Sequence, residues 1–582
     1  MIILGISAYH GDCSAAILKD GKLIAAVEEE RFTRIKHWAG FPVNSIKYCL
    51  KEADVDLMDV DYIAIARDTK ANYFKKIAYV LITPSSWKKA SNRLKVKRRF
   101  ETIEEIFNKN FGIEVDLLKE KIKYVEHHKA HVSSAYFLSP FKESTLVSID
   151  GFGDFVSAMY GVGVGNELKF FKKVYYPHSI GIFYTMITQF LGFKKYGDEY
   201  KVMGLSSYGE PEFLNEMEEL IYYKGNGEYE LNLKYYRHHK DRIDFNFEEG
   251  SPDIGDVFSD EIYKLLGDSR NYNDEINNKH KNIAKSMQVH TENIIFKMLD
   301  YAYGKTGIDK LSLAGGVAMN SVANGKIFRR TKFKDVYIPP AAGDAGTSMG
   351  AAFYVYNVIL NNEDRFHLNN GYLGPGYAED EIFKTIEEYK HELEKNGVSI
   401  SYSKTKDELV KRTVEDIEQG LVVGWYQGRM EFGARALGNR SIVVDPRRKD
   451  MRDILNSRIK KRESFRPFAP SILLEKTSDW FEESYPVPFM EKVYNIKEEK
   501  RALIPAVTHV DGTGRLQTVE ESQNPLYYKL IKEFEKKTGV PIVLNTSFNE
   551  NEPIVNTPQE AINTFLRTKM DTLVMENYIL KR

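Results

Sequence analysis

Two histidines and two aspartates have the types and the spacing of a metal site. His127 and His131 lie four residues apart in EHHKAHVSSAYF, so both imidazoles would share one face if this segment is helical. Asp150 in SIDGFGD and Asp344 in AAGDAG each follow an apolar, strand-like run. Imidazole and carboxylate ligands together suit iron(II), zinc or manganese, and such a cation would neutralise phosphate or polarise a carbonyl. The alternative is a chance pair of surface histidines, with one aspartate in a turn and the other capping a helix.

A polar loop near the N-terminus is a second candidate site. It joins the apolar runs MIILGIS and SAAILKD and carries His10, Gly11 and Asp12. Backbone N–H groups of a glycine-bearing loop between buried strands can point inward at a phosphate. An ordinary hairpin turn is the alternative. The third apolar run, KLIAAVEEE, follows a tight Asp20-Gly21 turn.

The elements that must position these groups follow one plan, an apolar strand that ends in a glycine turn. The runs STLVSID, DKLSLAGG and KDVYIPP all end this way, and the last two continue into helix-like stretches. This plan predicts an α/β architecture with ligands at the carboxyl ends of the strands. With the N-terminal hairpin, it resembles the two-lobed actin/sugar-kinase-like (ASKHA) ATPase fold. After a polar, turn-rich stretch near 359–376, the runs LVVGWYQG, RSIVVDPR and VPIVLNTSFN predict strands of a second α/β domain.

The overall composition restricts the possible partners. The chain has 582 residues, 28% of them charged, and a formal net charge of only -1, so nothing requires nucleic acid or an anionic membrane. Two cysteines cannot form a disulfide framework or a cysteine-rich zinc site. No signal peptide and no long apolar run is visible, so we expect a cytoplasmic protein without a membrane partner. The basic stretch 88–99 is either a phosphate or RNA patch or, as we prefer, a solvated helix face.

Longer motifs make the sequence resemble a known family. The chain is similar to the carbamoyltransferases that include the nodulation-factor and antibiotic O-carbamoyltransferases. The resemblance implies an ASKHA-fold, metal-binding transfer domain at 1–358, a linker at 359–376, and a YrdC-like domain at 377–582 that forms carbamoyl-adenylate. The motifs that carry it are AVEEERFTRIKH, EHHKAHVSSAYF, SIDGFGD, KVMGLSSYG, LAGGVAMN, PPAAGDAG, GRMEFGARALGNRSIVVDPR, RESFRPFAPS, VTHVDGTGRLQTV and VLNTSFNENEPIV.

The family's chemistry gives these residues expected roles. Carbamoyl phosphate and ATP, the latter with Mg²⁺, would form carbamoyl-adenylate, and the carbamoyl group would pass to a hydroxyl of a small-molecule or glycan acceptor. The resemblance implies four ligands for one divalent metal, with iron(II) expected and zinc or manganese as alternatives. These ligands are His127, His131, Asp150 and Asp344. A homo-oligomer is compatible with the sequence.

Positive charge is needed to bring two polyanions together, and the C-terminal motifs supply it. Arg440 is one of these charges, but it is not in the expected binding set. In the catalytic set we place His10, Asp12, Lys460 and Arg515, with Asp12 as the proton acceptor for the hydroxyl. The expected nucleotide- and donor-binding residues are Lys201, Gly315, Gly316, Asn320, Arg435, Lys460, Arg466, Arg515, Asn545 and Ser547.

Three alternatives stay open. The hydrogenase-maturation carbamoyl enzyme shares both modules, but it also needs zinc-binding cysteine pairs and a further domain. Threonylcarbamoyl transfer to tRNA is disfavoured by the near-neutral charge and by the C-terminal motifs. A nucleotide-gated binding module would not need the complete arginine and metal-ligand sets.

Overall fold

The computed structural model describes residues 1–83, 102–240, 245–246 and 250–582, so the basic stretch 88–99 lies outside the described residues. The chain forms two compact units. The first unit consists of 1–29, 37–319 and 327–368, and the second of 30–36, 320–326 and 369–582. The predicted domain bounds assign both short insertions, 30–36 and 320–326, to the first domain, and these bounds stay a prediction.

The strands of the first unit occur singly or in short runs that are separated by helices. They are β1 Ile2–Ser7, β2 Ser14–Lys19, β3 Lys22–Glu28, β4 Tyr62–Ile65, β5 Ile122–Tyr124, β6 Glu143–Gly153, β7 Val156–Val164, β8 Glu167–Tyr175, β9 Ile221–Gly225, β10 Glu228–Leu231, β11 Phe245–Asn246, β12 Asp253–Ile254, β13 Lys310–Ala314 and β14 Asp335–Tyr337.

The same five-stranded sheet occurs twice in the first unit. The strand orders are β3-β2-β1-β4-β5 and β8-β7-β6-β13-β14. In each sheet the first three strands form an antiparallel meander, and the last two run parallel to its innermost strand. A repeated sheet of this order is the two-lobed ASKHA architecture, so the predicted fold class of the first unit is confirmed.

The helices of both units, in chain order, have the following bounds. They are α1 Glu30–Thr33, α2 Val43–Ala53, α3 Tyr73–Ile82, α4 Ile103–Phe111, α5 Val115–Lys121, α6 His127–Tyr136, α7 Ile180–Phe190, α8 Glu199–Leu205, α9 Leu214–Leu220, α10 Glu261–Leu266, α11 Asn278–Thr306, α12 Ser321–Asn324, α13 Ile327–Arg330, α14 Thr347–Phe353, α15 Glu379–Glu388, α16 Lys390–Lys395, α17 Lys406–Glu418, α18 Met451–Ile454, α19 Thr477–Trp480, α20 Glu498–Arg501, α21 Pro525–Thr538 and α22 Pro558–Thr568.

The second unit is also α/β, as predicted, while its YrdC-like character stays a prediction. Its eight-stranded mixed sheet has the order β15-β24-β23-β16-β17-β22-β18-β21, and β19 pairs with β20. Trp425 lies in the fully buried core. The strands are β15 Ser399–Tyr402, β16 Val423–Tyr426, β17 Arg440–Val444, β18 Ala469–Leu473, β19 Val493–Asn495, β20 Thr513–Arg515, β21 Gln517–Val519, β22 Ile542–Ser547, β23 Thr572–Met575 and β24 Tyr578–Lys581.

Local sequence signals explain where the long helices of the second unit begin and end. Asn524 accepts the N–H of Tyr527 at the start of α21, and Pro525 occupies the first turn. Gly539 ends this helix in the left-handed conformation at φ 76°. Among the described residues, no helix combines the length and the apolar composition needed to cross a bilayer.

Close helix packing in the first unit brings the predicted metal ligands together. Helix α14 begins directly after the turn that contains Asp344, and it packs against α6, which carries both histidines. A Cβ atom at Gly350 of α14 would lie 1.8 Å from the carbonyl oxygen of Ala130 in α6. Only glycine allows the two backbones to approach this closely, so Gly350 sets the distance between the aspartate turn and the histidine helix.

Candidate functional site

The four predicted metal ligands converge in the first unit. His127 and His131 lie on one face of α6, as predicted, and both are fully buried with their Nε2 atoms 2.9 Å apart. Asp150 Oδ2 lies 3.2 Å from Nε2 of His127 and 3.6 Å from Nε2 of His131. Asp344 Oδ1 lies 3.4 and 3.5 Å from the same two atoms.

The donor set fits one small divalent cation. Two imidazole nitrogens that face each other share at most one proton, and here two carboxylate oxygens also converge on them. Ligand bonds of about 2.1 Å place neighbouring donor atoms about 3.0–3.4 Å apart. The distances of 2.9 to 3.6 Å in the cluster bracket this range. Nitrogen and oxygen donors do not select between iron(II), zinc and manganese, so the identity of the metal stays open.

Backbone contacts orient these side chains. Asp150 Oδ1 accepts the N–H of Gly316 at 2.7 Å, which leaves Oδ2 directed at the histidines. The N–H of His127 donates to Asp154 Oδ2 at 2.9 Å. A Cβ atom at Gly153 would lie 1.9 Å from the His127 ring, so the turn after Asp150 must carry glycine there. Contacts of this kind fix the orientation of metal ligands.

The electrostatics of the cluster favour positive charge at its centre. Burial alone would lower the pKa of His127, but hydrogen bonds with Asp150 and Asp344 outweigh burial and raise that pKa well above its ordinary value. Burial would raise the pKa of Asp150, yet hydrogen bonds with His127 and His131 hold it well below the usual range. Two buried carboxylates therefore attract a proton or a cation to this point.

His128, which is not one of the predicted metal ligands, is a buried core residue. Its Nδ1 lies 2.7 Å from Ser148 Oγ and its Nε2 lies 2.9 Å from the carbonyl oxygen of Val156. Burial, aided by the neighbouring His127, lowers the pKa of His128 to about 3. The ring is therefore neutral and already has partners for both nitrogens.

The N-terminal loop places its two predicted catalytic residues differently. The His10 ring lies 4.9 Å from the His127 ring, and burial followed by the charge of His127 lowers the pKa of His10 to about 3. Asp12 Oδ1 instead accepts a hydrogen bond from Nδ1 of His37 at 2.8 Å. Sequence reasoning did not select His37, although it ends the quoted motif AVEEERFTRIKH. The catalytic roles of His10 and Asp12 stay predictions.

Three of the predicted nucleotide contacts have structural tasks of their own. Gly315 adopts φ 96°, where a Cβ atom would lie 2.2 Å from the carbonyl oxygen of Ile149. Lys201 is buried, and its ammonium lies 2.8 Å from Asp198. Asn320 belongs to the second unit, where its side chain accepts the N–H of Ala323 and caps a short helix. None of this tests a nucleotide role, which stays a prediction for all three and for Gly316.

Guanidinium groups converge in the second unit. Burial, followed by the positive charges of Arg435, Arg462 and Arg466, holds the pKa of Arg515 well below its ordinary value. Arg515 Nε also donates to Ser321 Oγ at 3.1 Å. The structure thus brings together three predicted arginines and adds Arg462, which was not among the predicted residues although it begins the quoted motif RESFRPFAPS.

Lys460 lies beside this arginine cluster and is almost fully buried. Its ammonium donates to the carbonyl oxygen and to Oδ1 of Asn549, both at 2.8 Å, and also to the backbone of Ser547. Burial, then Arg462 and Lys36, holds the pKa of Lys460 well below its ordinary value. Lys36 belongs to the short insertion 30–36 of the second unit and was also missed from sequence.

Asn545 supports the loops that carry the cations. Its Nδ2 donates to the carbonyl oxygen of Ala436 at 3.2 Å and to Oε1 of Gln517 at 3.0 Å. These partners lie one residue after Arg435 and two residues after Arg515. Asn545 therefore links the loop that carries Arg435 to the strand region that carries Arg515. Its predicted role as a ligand contact stays a prediction.

Arg440 needs a correction, because it does not contribute to the cationic surface. The side chain is fully buried, stacks at 3.7 Å over the Tyr426 ring, and donates to four backbone carbonyl oxygens. All of these acceptors belong to neighbouring turns. Its charge stabilises the fold and is not directed at an anion.

Comparison with known proteins gives the family. Residues 2–353 match the family model described as carbamoyltransferase N-terminus, and residues 414–582 match carbamoyltransferase C-terminus. A Synechocystis protein described as uncharacterised is 39% identical over 100% of this chain and 96% of its own length. Nodulation protein NolNO of Sinorhizobium fredii is 40% identical over 99% of this chain and 80% of its own length.

A cephem O-carbamoyltransferase is a more distant relative. The 3'-hydroxymethylcephem-O-carbamoyltransferase of Amycolatopsis lactamdurans is 31% identical over 41% of this chain and 42% of its own length. The family models together cover most of the chain, including all four residues of the metal cluster and the arginine cluster. The protein therefore belongs to the carbamoyltransferase family.

Proposed function

We propose that this carbamoyltransferase makes carbamoyl-adenylate in its second unit and uses it at the metal cluster of the first unit to carbamoylate a hydroxyl. In the first half-reaction, carbamoyl phosphate, ATP and one water give carbamoyl-adenylate, pyrophosphate and phosphate. In the second, the acceptor oxygen bonds to the carbamoyl carbon as AMP leaves. The observation that carries the proposal is the convergence of four partly buried arginines and the buried Lys460 in the second unit.

The arginine cluster suits a site for two polyanions. Burial is the larger cause of the lowered pKa of Arg515, and repulsion from the neighbouring arginines adds to it. A bound phosphate removes this repulsion and gains bidentate hydrogen bonds from guanidinium groups. The cluster is therefore stabilised by the ligands that the first half-reaction requires.

The first unit supplies the groups for transfer. A divalent cation held by His127, His131, Asp150 and Asp344 would polarise a carbonyl or phosphoryl oxygen. Asp12 takes the proton from the acceptor hydroxyl and so raises the nucleophilicity of its oxygen. His10, neutral because its pKa is about 3, contacts the cluster without adding charge to it. The acceptor is a small molecule or a glycan that presents a hydroxyl.

Pyrophosphate release tests the first half-reaction. Purified protein with ATP, Mg²⁺ and carbamoyl phosphate should release pyrophosphate, and Arg515→Ala should abolish this release. Arg448→Ala is a matched control, because that guanidinium is 42% exposed and pairs with Asp450 away from the cluster. Release only with threonine and bicarbonate would instead favour threonylcarbamoyl chemistry. Tight ATP binding without turnover of either donor would contradict an enzymatic role.

Mass spectrometry tests the second half-reaction. The protein is incubated with ATP, carbamoyl phosphate and a small-molecule cell extract. An extract component should gain the mass of one carbamoyl group in place of a hydrogen atom. The same extract with Arg448→Ala should give the product, and with Arg515→Ala it should not.

A further inference from the structure

We propose that His37 positions Asp12 as the proton acceptor for transfer, so that the two residues act as one catalytic pair beside the metal cluster. This inference rests on the proposed function and deepens it, because it adds a residue with a defined task to the transfer site. The pair is set by one hydrogen bond, from Nδ1 of His37 to Oδ1 of Asp12, at 2.8 Å. Asp12 Oδ2 has no hydrogen bond to a residue that the structure describes and is left for the hydroxyl proton.

The backbone around the pair is built to keep the two side chains together. Both residues are left-handed, with φ 64° for Asp12 and φ 55° for His37, a conformation that costs energy for any residue with a side chain. Two hydrogen bonds join the segments, from Cys13 N–H to the carbonyl oxygen of Trp38 at 3.1 Å and from Tyr9 N–H to that of Gly40 at 2.9 Å. The segment after β1 is thereby fixed against the segment that begins with His37.

Tyr196 places the pair next to the metal cluster. Its ring packs edge-on against the His37 ring, with centroids 5.4 Å apart. The far end of the same ring covers Gly11, where a Cβ atom would lie 2.4 Å from Tyr196 Cε1. Burial, then the charges of Asp344 and Asp12, raises the pKa of the Tyr196 hydroxyl well above its ordinary value. His10, two residues before Asp12, has its ring 4.9 Å from the His127 ring and its Nδ1 3.9 Å from Asp344 Oδ2, so the loop that carries Asp12 lies beside the metal cluster.

Accessibility distinguishes this pair from a structural ion pair. The side chains of His37 and Asp12 are 28% and 34% exposed, whereas both histidines of the metal cluster are fully buried. Solvent and small solutes therefore reach the pair. In the transfer step the hydroxyl proton passes to Asp12 Oδ2, the acceptor oxygen bonds to the carbamoyl carbon, and the bond to AMP breaks. His37 donates to Oδ1 throughout and keeps Oδ2 directed at the proton.

A double-mutant cycle tests whether His37 acts through Asp12. The variants are Asp12→Asn, His37→Gln and the double variant, with His391→Gln, an exposed histidine of the second unit, as the matched control. The assay measures AMP release with ATP and carbamoyl phosphate, using water and concentrated glycerol as hydroxyl probes. Pyrophosphate release from the first half-reaction and the melting temperature are recorded for every variant.

The expected result is a loss of kcat for AMP release of at least about 100-fold in Asp12→Asn and about 10-fold or more in His37→Gln. The double variant should be no slower than Asp12→Asn, since residues that act as one unit are not additive. Pyrophosphate release in the first turnover, before carbamoyl-adenylate must be consumed, should stay at the wild-type rate in all of them. A His37→Gln rate within twofold of wild type, or additive losses, would overturn the proposal.

Nuclear magnetic resonance of ¹⁵N-histidine protein tests the pair without any turnover. Of the 13 histidines, His37 is assigned by the signal that His37→Gln removes. Its Nδ1 should carry a proton, and an unprotonated Nδ1 would overturn the inference. If wild-type protein releases no pyrophosphate, the proposed function is contradicted. The resonance measurement would still show whether His37 donates to Asp12.

Discussion

Gly153 offers the sharpest perturbation of the metal cluster, because a single added methyl group would collide with a ligand. In Gly153→Ala the new Cβ atom would lie 1.9 Å from Cδ2 and 2.1 Å from Cγ of His127. Unbonded carbon atoms need about 3.5 Å, so the ring must move by about 1.5 Å. Metal ligands tolerate displacements of only about 0.2 Å, so His127 should no longer bind the cation.

The same turn provides a matched control. A Cβ atom at Gly151, two residues earlier, would meet nothing within 4 Å. Gly153→Ala should lose metal affinity by at least about 100-fold and destabilise the fold by about 1–3 kcal/mol, while Gly151→Ala changes neither. Both are measured by elemental analysis after transfer to metal-free buffer, by titration against a competing chelator, and by thermal melting. Full metal content in folded Gly153→Ala would refute the assignment of His127 as a ligand.

Four further outcomes follow from the structure. Arg440→Met should lower the free energy of unfolding by about 3 kcal/mol or more in a denaturant titration, since buried carbonyl oxygens lose a charged donor; a loss below about 1 kcal/mol would contradict a structural role. Inorganic pyrophosphate should raise the melting temperature of wild type but not of Arg515→Ala, and an equal rise in both would argue against the arginine site. Chelator-treated protein, assayed with ATP and fresh Mg²⁺, should keep first-turnover pyrophosphate release and lose carbamoyl transfer, and an equal loss of both would contradict the division of tasks. Cys13 should not react with a thiol reagent at pH 8 in the folded protein. Burial raises its pKa to about 12, so only about one Cys13 side chain in ten thousand is a thiolate at that pH. Rapid labelling would show that the N-terminal loop opens.

Sequence patterns were sufficient for the parts of the fold that depend on periodicity. Three apolar runs separated by a polar loop and an Asp-Gly turn predicted the N-terminal meander, which forms β1 to β3. The four-residue spacing of His127 and His131 predicted a shared helix face, because that spacing places both side chains on one side. Strand-ending aspartates could be predicted at the same site, since strand ends of an α/β sheet meet at one edge.

Contacts between side chains that are far apart in the sequence could not be predicted from local patterns. Arg440 and Arg435 lie in one motif with the same residue type, but only the fold buries the first among backbone carbonyls and places the second in the arginine cluster. The nucleotide role of Gly316 stays a prediction, but no local pattern indicated that its N–H also orients Asp150, 166 residues away along the chain. The assignment of Lys36 to the second unit likewise depends on tertiary packing, which no local pattern records.

Removal of one metal ligand tests most directly whether carbamoyl-adenylate formation and carbamoyl transfer take place at separate sites. His131→Ala removes one ligand of the metal cluster in the first unit and leaves the arginine cluster of the second unit intact. In a single-turnover experiment with labelled carbamoyl phosphate and ATP, this variant should release pyrophosphate at the wild-type rate, accumulate carbamoyl-adenylate and carbamoylate no acceptor. Equal loss of pyrophosphate release and of carbamoyl transfer, in protein that remains folded, would contradict the assignment of the two half-reactions to separate sites.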